Sequence, residues 1–376
     1  MKKPLSLPHL GGLSAQVFLR DYWQKKPLLI RAAFPHFVAP LTRAEVLTLA
    51  AREESEARLI VRDGPNWQVT PGPISRAMQR AAAKSSWTIL AQDTQHHSYE
   101  AHALLAQFNF IPNARVDDLM VSVAAKGAGV GPHVDSYDVF LLQGEGKRRW
   151  QISTQTDLTL QPNQPLKLLK NFKPEQEWVL ETGDMLYLPP HVAHDGVAQT
   201  NCMTWSIGFR APSPQDLATG LLDFLHDEID IAGSYQDPDL REATQCGEID
   251  RAMVARMTTM LRPVEAAARD PKLIARFLGC YLTEPKAHVY FDPPYARLTL
   301  KKFERVAATA TLDLCTQLLF DASLYYVNGR VLPVLPEAGP TIQHLANTRS
   351  LDGFTLHLSA MQPLYLMYLA GYLHVS

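Results

Sequence analysis

Gly129-Val130-Gly131-Pro132-His133-Val134-Asp135 is the stretch on which the reading of this chain turns. Side chains on an extended strand alternate between faces, so His133 and Asp135, two apart, point the same way and can offer one imidazole and one carboxylate to a single metal ion. A third ligand has to come from elsewhere. About sixty residues later the chain reads Gly183-Asp184-Met185-Leu186-Tyr187-Leu188-Pro189-Pro190-His191-Val192-Ala193-His194, a strand and a proline-bounded turn with two histidines. Residue type alone admits either His191 or His194.

Outward from these stretches, from about residue 119 to Arg210, the pattern is all-β in short apolar runs bounded by Gly, Pro or Asp. Leu119-Met120-Val121-Ser122-Val123 opens the set. Tyr137 to Leu142, the turn Gly144-Glu145-Gly146 and Arg148 to Ser153 read as a hairpin with glycine where positive φ is needed. Trp178-Val179-Leu180 and Met185 to Leu188 form a second pair across Gly183-Asp184, and His194 to Val197 and Met203 to Phe209 complete the series. Short strands at this spacing predict a double-stranded β-helix, a jelly roll of the cupin type.

The flanks are mixed. Ser14 caps a helix carrying Val17, Phe18 and Tyr22, Pro27 ends it, and Leu28-Leu29-Ile30 reads as a buried strand. Thr42-x-x-Glu45 is a capping box. Further elements are expected at Leu59-Ile60-Val61, at 75–83, from Trp87 to Ala91 and at 99–108. After Arg210 the period changes to 3.6, with a helix start at Ser213-Pro214-x-Asp216, a helix over 248–261 with Ile249, Met253, Met257 and Met260 on one side, and another capped by Asp270-Pro271. Leu324 to Val327, Asn328-Gly329 and Arg330 to Val334 predict a type I′ hairpin between helices, the last over 361–373, which resembles a winged-helix module. The expected domains are a jelly roll with N-terminal elaboration over 1–211, a helical segment over 212–275, and a winged-helix-like domain over 276–376.

Composition narrows the class. The chain has 376 residues, 46% hydrophobic and 20% charged, which excludes a disordered tail protein and a disulfide miniprotein. Lys and Arg number 36 against 38 Asp and Glu, a formal −2, which argues against a general nucleic-acid binder. Within 216–250, however, ten acidic residues face one basic residue, Arg241. Cys202, Cys246, Cys280 and Cys315 show neither a CxxC pair nor zinc-ligand spacing. Pro4, Pro8 and Gly11-Gly12 interrupt any secretory apolar run, and no eighteen-residue apolar stretch occurs, so a soluble, cytoplasmic protein is expected.

Two histidines and a carboxylate on one face of a jelly roll form the facial set of non-haem Fe(II) oxygenases, which leaves positions open for a bidentate co-substrate and O2. Together with Tyr137 to Gln143 and Arg148-Arg149-Trp150, the two stretches resemble the Jumonji-C oxygenases. More closely, with Trp23 to Ile30, Arg115 to Ser122 and Gly208-Phe209-Arg210-Ala211-Pro212, they resemble the bacterial ribosomal oxygenases. That resemblance implies His133, Asp135 and His194 as metal ligands and catalytic residues, with His191 standing where the family has a small turn residue, usually glycine. It implies Arg148, whose planar fork suits a carboxylate, as the 2-oxoglutarate anchor, assisted by the Ser122 hydroxyl. The implied activity is Fe(II)- and 2-oxoglutarate-dependent hydroxylation of an arginine on the sixteenth protein of the large ribosomal subunit, by a homodimer.

Other residues take milder readings. Ser206 and Thr204 are weaker candidates for the co-substrate, Tyr137 and Trp150 are expected in the core, and His96-His97 are expected to be exposed. Asp117-Asp118 fit either a solvated strand edge or contact with a guanidinium. The rival readings are a histidyl hydroxylase or demethylase of the same family, and a cupin sensor whose winged helix reads DNA. Against the latter, the terminal helix with Tyr365, Met367 and Tyr368 is almost uncharged, so direct nucleic-acid binding is not expected.

Overall fold

Eleven strands build the first half of the chain: β1 Leu28–Ile30, β2 Ala57–Asp63, β3 Asn66–Pro71, β4 Ser86–Ala91, β5 Val116–Ala124, β6 Val139–Glu145, β7 Arg148–Ser153, β8 Gln176–Leu180, β9 Met185–Leu188, β10 Ala193–Ala198 and β11 Cys202–Phe209. Helices α1 Ala15–Asp21, α2 Arg43–Leu49, α3 Arg76–Ala82 and α4 Tyr99–Ala106 accompany them. This computed structural model describes residues 7–376. Eight strands form one sheet in the order β1-β9-β6-β11-β5-β4-β2-β3, and three form a second, β10-β7-β8.

Alternation decides what each face of the large sheet does. On one face, Leu119, Val121 and Val123 of β5, Phe140 and Leu142 of β6, and Trp205, Ile207 and Phe209 of β11 join Phe18, Val46 and Leu104 from the helices in one buried cluster. On the other, Val139 and Leu141 of β6 meet Trp150 and Ile152 of β7 and Leu180 of β8, so the small sheet closes over this face. The intervening positions of β5 and β11, Met120, Ser122, Thr204 and Ser206, line a cavity. Ser14 caps α1 and the Thr42–Glu45 capping box opens α2, as the local sequence dictates.

The two expected hairpins are not formed. β6 pairs with β9 and β11, whereas β7 pairs with β8 and β10, so the chain crosses from the large sheet to the small one at Gly146. β8 and β9 likewise lie in different sheets. A sharp glycine turn between two period-two runs looks alike in a hairpin and in a corner between sheets. Gly146 does take positive φ (+67°), and a Cβ there would lie 2.3 Å from the Asn201 carbonyl oxygen.

The second unit comprises residues 212–285 and 291–376, while 286–290 belong to the first unit with 1–211. It holds α5 Pro214–Glu228, α6 Arg251–Met260, α7 Arg262–Ala267, α8 Pro271–Thr283, α9 Leu300–Val306, α10 Gly339–Thr348 and α11 Met361–Leu369. Its strands are β12 Thr311–Leu312, β13 Leu318–Phe320, β14 Tyr325–Val327, β15 Arg330–Leu332 and β16 Leu373–His374. Asn328 and Gly329, at φ +47° and +82°, make the type I′ turn between β14 and β15. The last helix stops at Leu369 instead of 373, because Gly371 at φ +77° turns the chain into β16, which pairs with β12. Among the described residues, no helix is long and apolar enough to cross a membrane.

Candidate active site

His133 and Asp135, expected on a strand, lie instead in the connection between β5 and β6, and His133 and His194 pair as a single isolated antiparallel bridge. Each donates its backbone N–H to the other's carbonyl, at 3.0 and 2.9 Å, and this reciprocal pair sets both side chains on one face with ring centroids 4.2 Å apart. The Nδ1 atoms lie 2.8 Å from the Gly131 carbonyl and 2.9 Å from the Val192 carbonyl. A carbonyl only accepts, so each Nδ1 carries the proton and each Nε2 keeps its lone pair. Both Nε2 atoms point at Asp135 Oδ2, at 3.9 and 3.5 Å. Burial and the neighbouring His133 hold the His194 pKa well below the usual imidazole value, which favours the neutral, ligating form. The three ligand atoms lie within 4.8 Å of one another, compact enough for one ion.

His191 is placed elsewhere. It is exposed, sits at φ +64° and donates its backbone N–H to the Asp135 carbonyl at 2.8 Å. Left-handed backbone favours glycine there, and the backbone bond braces the loop that carries Asp135. Geometry therefore separates the two histidines that residue type could not.

The three ligands open into a cavity of about 430 Å³ between the two sheets. Arg148 and Ser122 line it, as do Thr204 and Ser206. Arg148 is 3% exposed, and its Nε and Nη2 have no hydrogen-bond partner among the described residues, although the guanidinium lies over the Trp150 ring at 5.6 Å. A buried guanidinium with free donors is costly unless an anion meets it, so these donors suit an anionic group. Ser122 Oγ donates to the Thr204 carbonyl at 3.5 Å, and Thr204 Oγ1 donates to Gln143 Oε1 at 3.0 Å.

Several expectations change here. Tyr137 and Trp150, expected as core residues, both line the cavity while packing on the β6–β7 core. The Tyr137 hydroxyl hydrogen-bonds Asp135, and burial beside acidic groups raises its pKa. His96 and His97, expected to be exposed, are half-buried, and His96 stands close to Asp93 and His288. An aromatic or imidazole in a short segment says nothing of its neighbours, and those neighbours come from distant segments. Asp118 and Met120 also line the cavity, and strand periodicity from Ser122 could have found both.

With this geometry in hand, comparison with known proteins is informative. The JmjC domain family model matches residues 103–217, and the ROXA-like winged helix model matches 266–374. The ribosomal protein uL16 3-hydroxylase of Escherichia coli is 31% identical over 279 residues, 74% of this chain and 73% of that one. The chain belongs to the JmjC family of ribosomal oxygenases. A probable ribosomal oxygenase of Haemophilus influenzae is 39% identical to this oxygenase over 235 residues, 61% of this chain and 58% of the relative. In fold, the oxygenase matches the crystal structure of E. coli YcfD with a TM-score of 0.83, at 27% identity over 97% of this chain and 98% of that one. A YcfD structure in complex with cobalt and 2-oxoglutarate matches with a TM-score of 0.81, at 26% identity over the same shares.

Proposed function

We propose that this chain is an Fe(II)- and 2-oxoglutarate-dependent protein hydroxylase that places a hydroxyl on an arginine side chain of a large-subunit ribosomal protein, the sixteenth. The observation that carries the reading is the pairing, in one cavity, of a two-histidine, one-carboxylate cluster with a buried guanidinium whose donors are free. The names of the E. coli and H. influenzae relatives and the cobalt and 2-oxoglutarate complex of YcfD support it.

In this reading His133, Asp135 and His194 hold the iron and are the catalytic residues. The donor set fits: two neutral imidazoles with fixed tautomers and one carboxylate satisfy a borderline divalent ion and leave half its positions open. Bound there with 2-oxoglutarate and O2, the metal supplies the oxidative decarboxylation that inserts one oxygen atom into a substrate C–H bond. Arg148 binds the distal carboxylate of 2-oxoglutarate through its fork, with Ser122 beside it, and Trp150 and Leu141 exclude water from that end. Tyr137 orients the Asp135 carboxylate through its hydroxyl. Asp118, buried, and Asp117, more exposed, give the opposite wall a negative charge that suits a cationic side chain.

The other assignments follow the same reading. Residues 1–211 form the catalytic domain. Segment 212–275 is the dimerisation segment, on the strength of α6, where Val254, Met257 and Met260 are exposed along with Ile249 and Leu261 beside the helix. Residues 276–376 form the winged-helix-like domain. A ribosomal-protein substrate places the enzyme in the cytoplasm. The test incubates the full chain with Fe(II), 2-oxoglutarate and arginine-containing ribosomal-protein peptides in air. Mass spectrometry should read the gain of one oxygen atom on an arginine, and His133→Ala should lose it. Absence of coupled turnover with every such peptide overturns the reading.

A further inference from the structure

Behind the anionic wall of the cavity lies a charged cluster that the site described above does not use. Asp93, just after β4, has a side chain 1% exposed, and its two oxygens take Lys286 Nζ at 2.9 and 3.1 Å. Gln95 Nε2 donates to it at 3.2 Å, and His288 Nε2 stands 3.3 Å away. Lys286 also reaches Asp117 Oδ1, at 3.4 Å. The cluster is tied to β5, the strand that carries Asp117 and Asp118. Gln95 Oε1 accepts from the Leu119 N–H at 2.9 Å, Thr94 Oγ1 donates to the Leu119 carbonyl at 2.6 Å, and the Asp93 backbone N–H serves the Asp118 carboxylate. Asp117 and Asp118 line the cavity, whereas Asp93 and Lys286 do not.

The ligand atoms of Asp93, His96 and His288 are close enough together for a metal ion. The Lys286 ammonium decides against one, because it occupies both Asp93 oxygens, where a divalent cation would meet a like charge at contact distance. The cluster is instead a charge-balancing device in which Lys286 bridges Asp93 and Asp117.

We propose that Lys286 is a positioning residue of the cationic-substrate subsite, anchored on Asp93 and counterbalancing the Asp117 and Asp118 carboxylates of the cavity wall. The inference rests on the reading that this cleft receives a cationic side chain. Asp118 is faced by Asp93 from the turn before α4, by Asp117 on its own strand, by Lys286 from the 286–290 segment and by Tyr137 ahead of β6; His96 and His288 stand beside Asp93, and Arg210 after β11 stands beside Asp117. Burial, Asp93 and Asp117 push Asp118 up to about 7, and Lys286 is the foremost group opposing them. Burial pushes His96 down to about 4, so this imidazole is neutral at pH 7 and does not replace the ammonium. Lys286 lies outside the JmjC match at 103–217 and inside the winged-helix match at 266–374. A residue of the C-terminal segment thus completes the charge of the catalytic cleft.

The test uses the full-length Lys286→Gln variant, which keeps a donor toward Asp93 and loses the charge, with Lys286→Met as a second neutral variant should the first fail to fold. Carboxylate 13C NMR follows the Asp118 titration, assigned by its loss in Asp118→Asn. Its midpoint should rise by about one unit or more in the neutral variants, a tenfold change in ionisation, and stay put in Lys286→Arg. With an arginine peptide at pH 7, KM should rise about fivefold, as the ionised fraction of Asp118 falls from about one half to about one tenth, with kcat changing less than twofold, and raising the pH should restore KM as Asp118 ionises. An unmoved Asp118 titration, or a KM defect that persists at high pH, overturns the proposal. Failure of the wild-type chain to turn over any arginine peptide sinks the cleft reading instead, and the titration still decides the role of Lys286.

Discussion

Replacing Arg148 by Met separates a residue that stabilises the fold from one held ready for a ligand. Arg148 is 3% exposed, and Nε and Nη2 lack hydrogen-bond partners among the described residues. Each unmet buried donor costs about 1–3 kcal/mol, so an apolar side chain of similar length should leave the metal- and co-substrate-free protein as stable as the wild type or raise its stability by about 1–3 kcal/mol. The co-substrate should respond in the opposite direction. Two charge-assisted hydrogen bonds to a carboxylate, at about 1.5–3 kcal/mol each, amount to about 3–6 kcal/mol, a weakening of at least about 100-fold. Thermal melting with and without 2-oxoglutarate, and the KM for 2-oxoglutarate during decarboxylation, read the two effects. Arg148→Lys should fall between them, because an ammonium meets the carboxylate as a point charge. A variant that melts several degrees lower without ligand and keeps its KM would refute the reasoning, because Arg148 would then be a structural residue.

Three further outcomes follow from the geometry. His194→Ala should abolish stoichiometric binding of Fe(II) or a cobalt substitute, while His191→Gly should retain it and gain about 1 kcal/mol from relief of left-handed backbone at φ +64°, as read by metal titration and denaturant melting. Met257→Asp together with Val254→Asp, both on exposed positions of α6, should leave the melting temperature within about 2 °C of the wild type and shift sedimentation to the monomer; an unchanged dimer places the interface elsewhere. Gly196→Ala puts a Cβ 2.6 Å from the Trp150 ring, which lies against His194, so it should cost about 1–3 kcal/mol by urea melting and weaken metal binding as well.

The strands themselves were written locally. Period-two runs bounded by glycine and proline located β5 to β11, with β7 and β9 matching to the residue and β5 and β6 off by two or three residues at an end, and side-chain oxygens at Ser14, Thr42 and Ser213 marked helix starts that the structure realises as caps. Pairing was not written there. The Gly144-Glu145-Gly146 turn dictates a sharp bend, but whether β7 folds back on β6 or crosses to the other sheet depends on which neighbours need a partner. β9 and β11 take both edges of β6. The strand Asn66–Pro71 went unexpected because its burial alternates only weakly and prolines flank it.

By itself the sequence supplied the candidate donors, one imidazole and one carboxylate two apart, a second histidine-bearing turn, and an arginine whose neighbours point the other way; the strand expected under the first pair is a loop between β5 and β6. Residue type and spacing left His191 and His194 open and the family resemblance favoured His194; the tertiary structure supplies the physical reason, a left-handed backbone at His191 and a reciprocal pairing of His133 with His194. It also brought Lys286 against Asp93, a separation of 193 residues that no local pattern can encode. Chemistry is carried by residue type and short spacing; charge balance in a buried cleft is a sum over segments that only folding brings together.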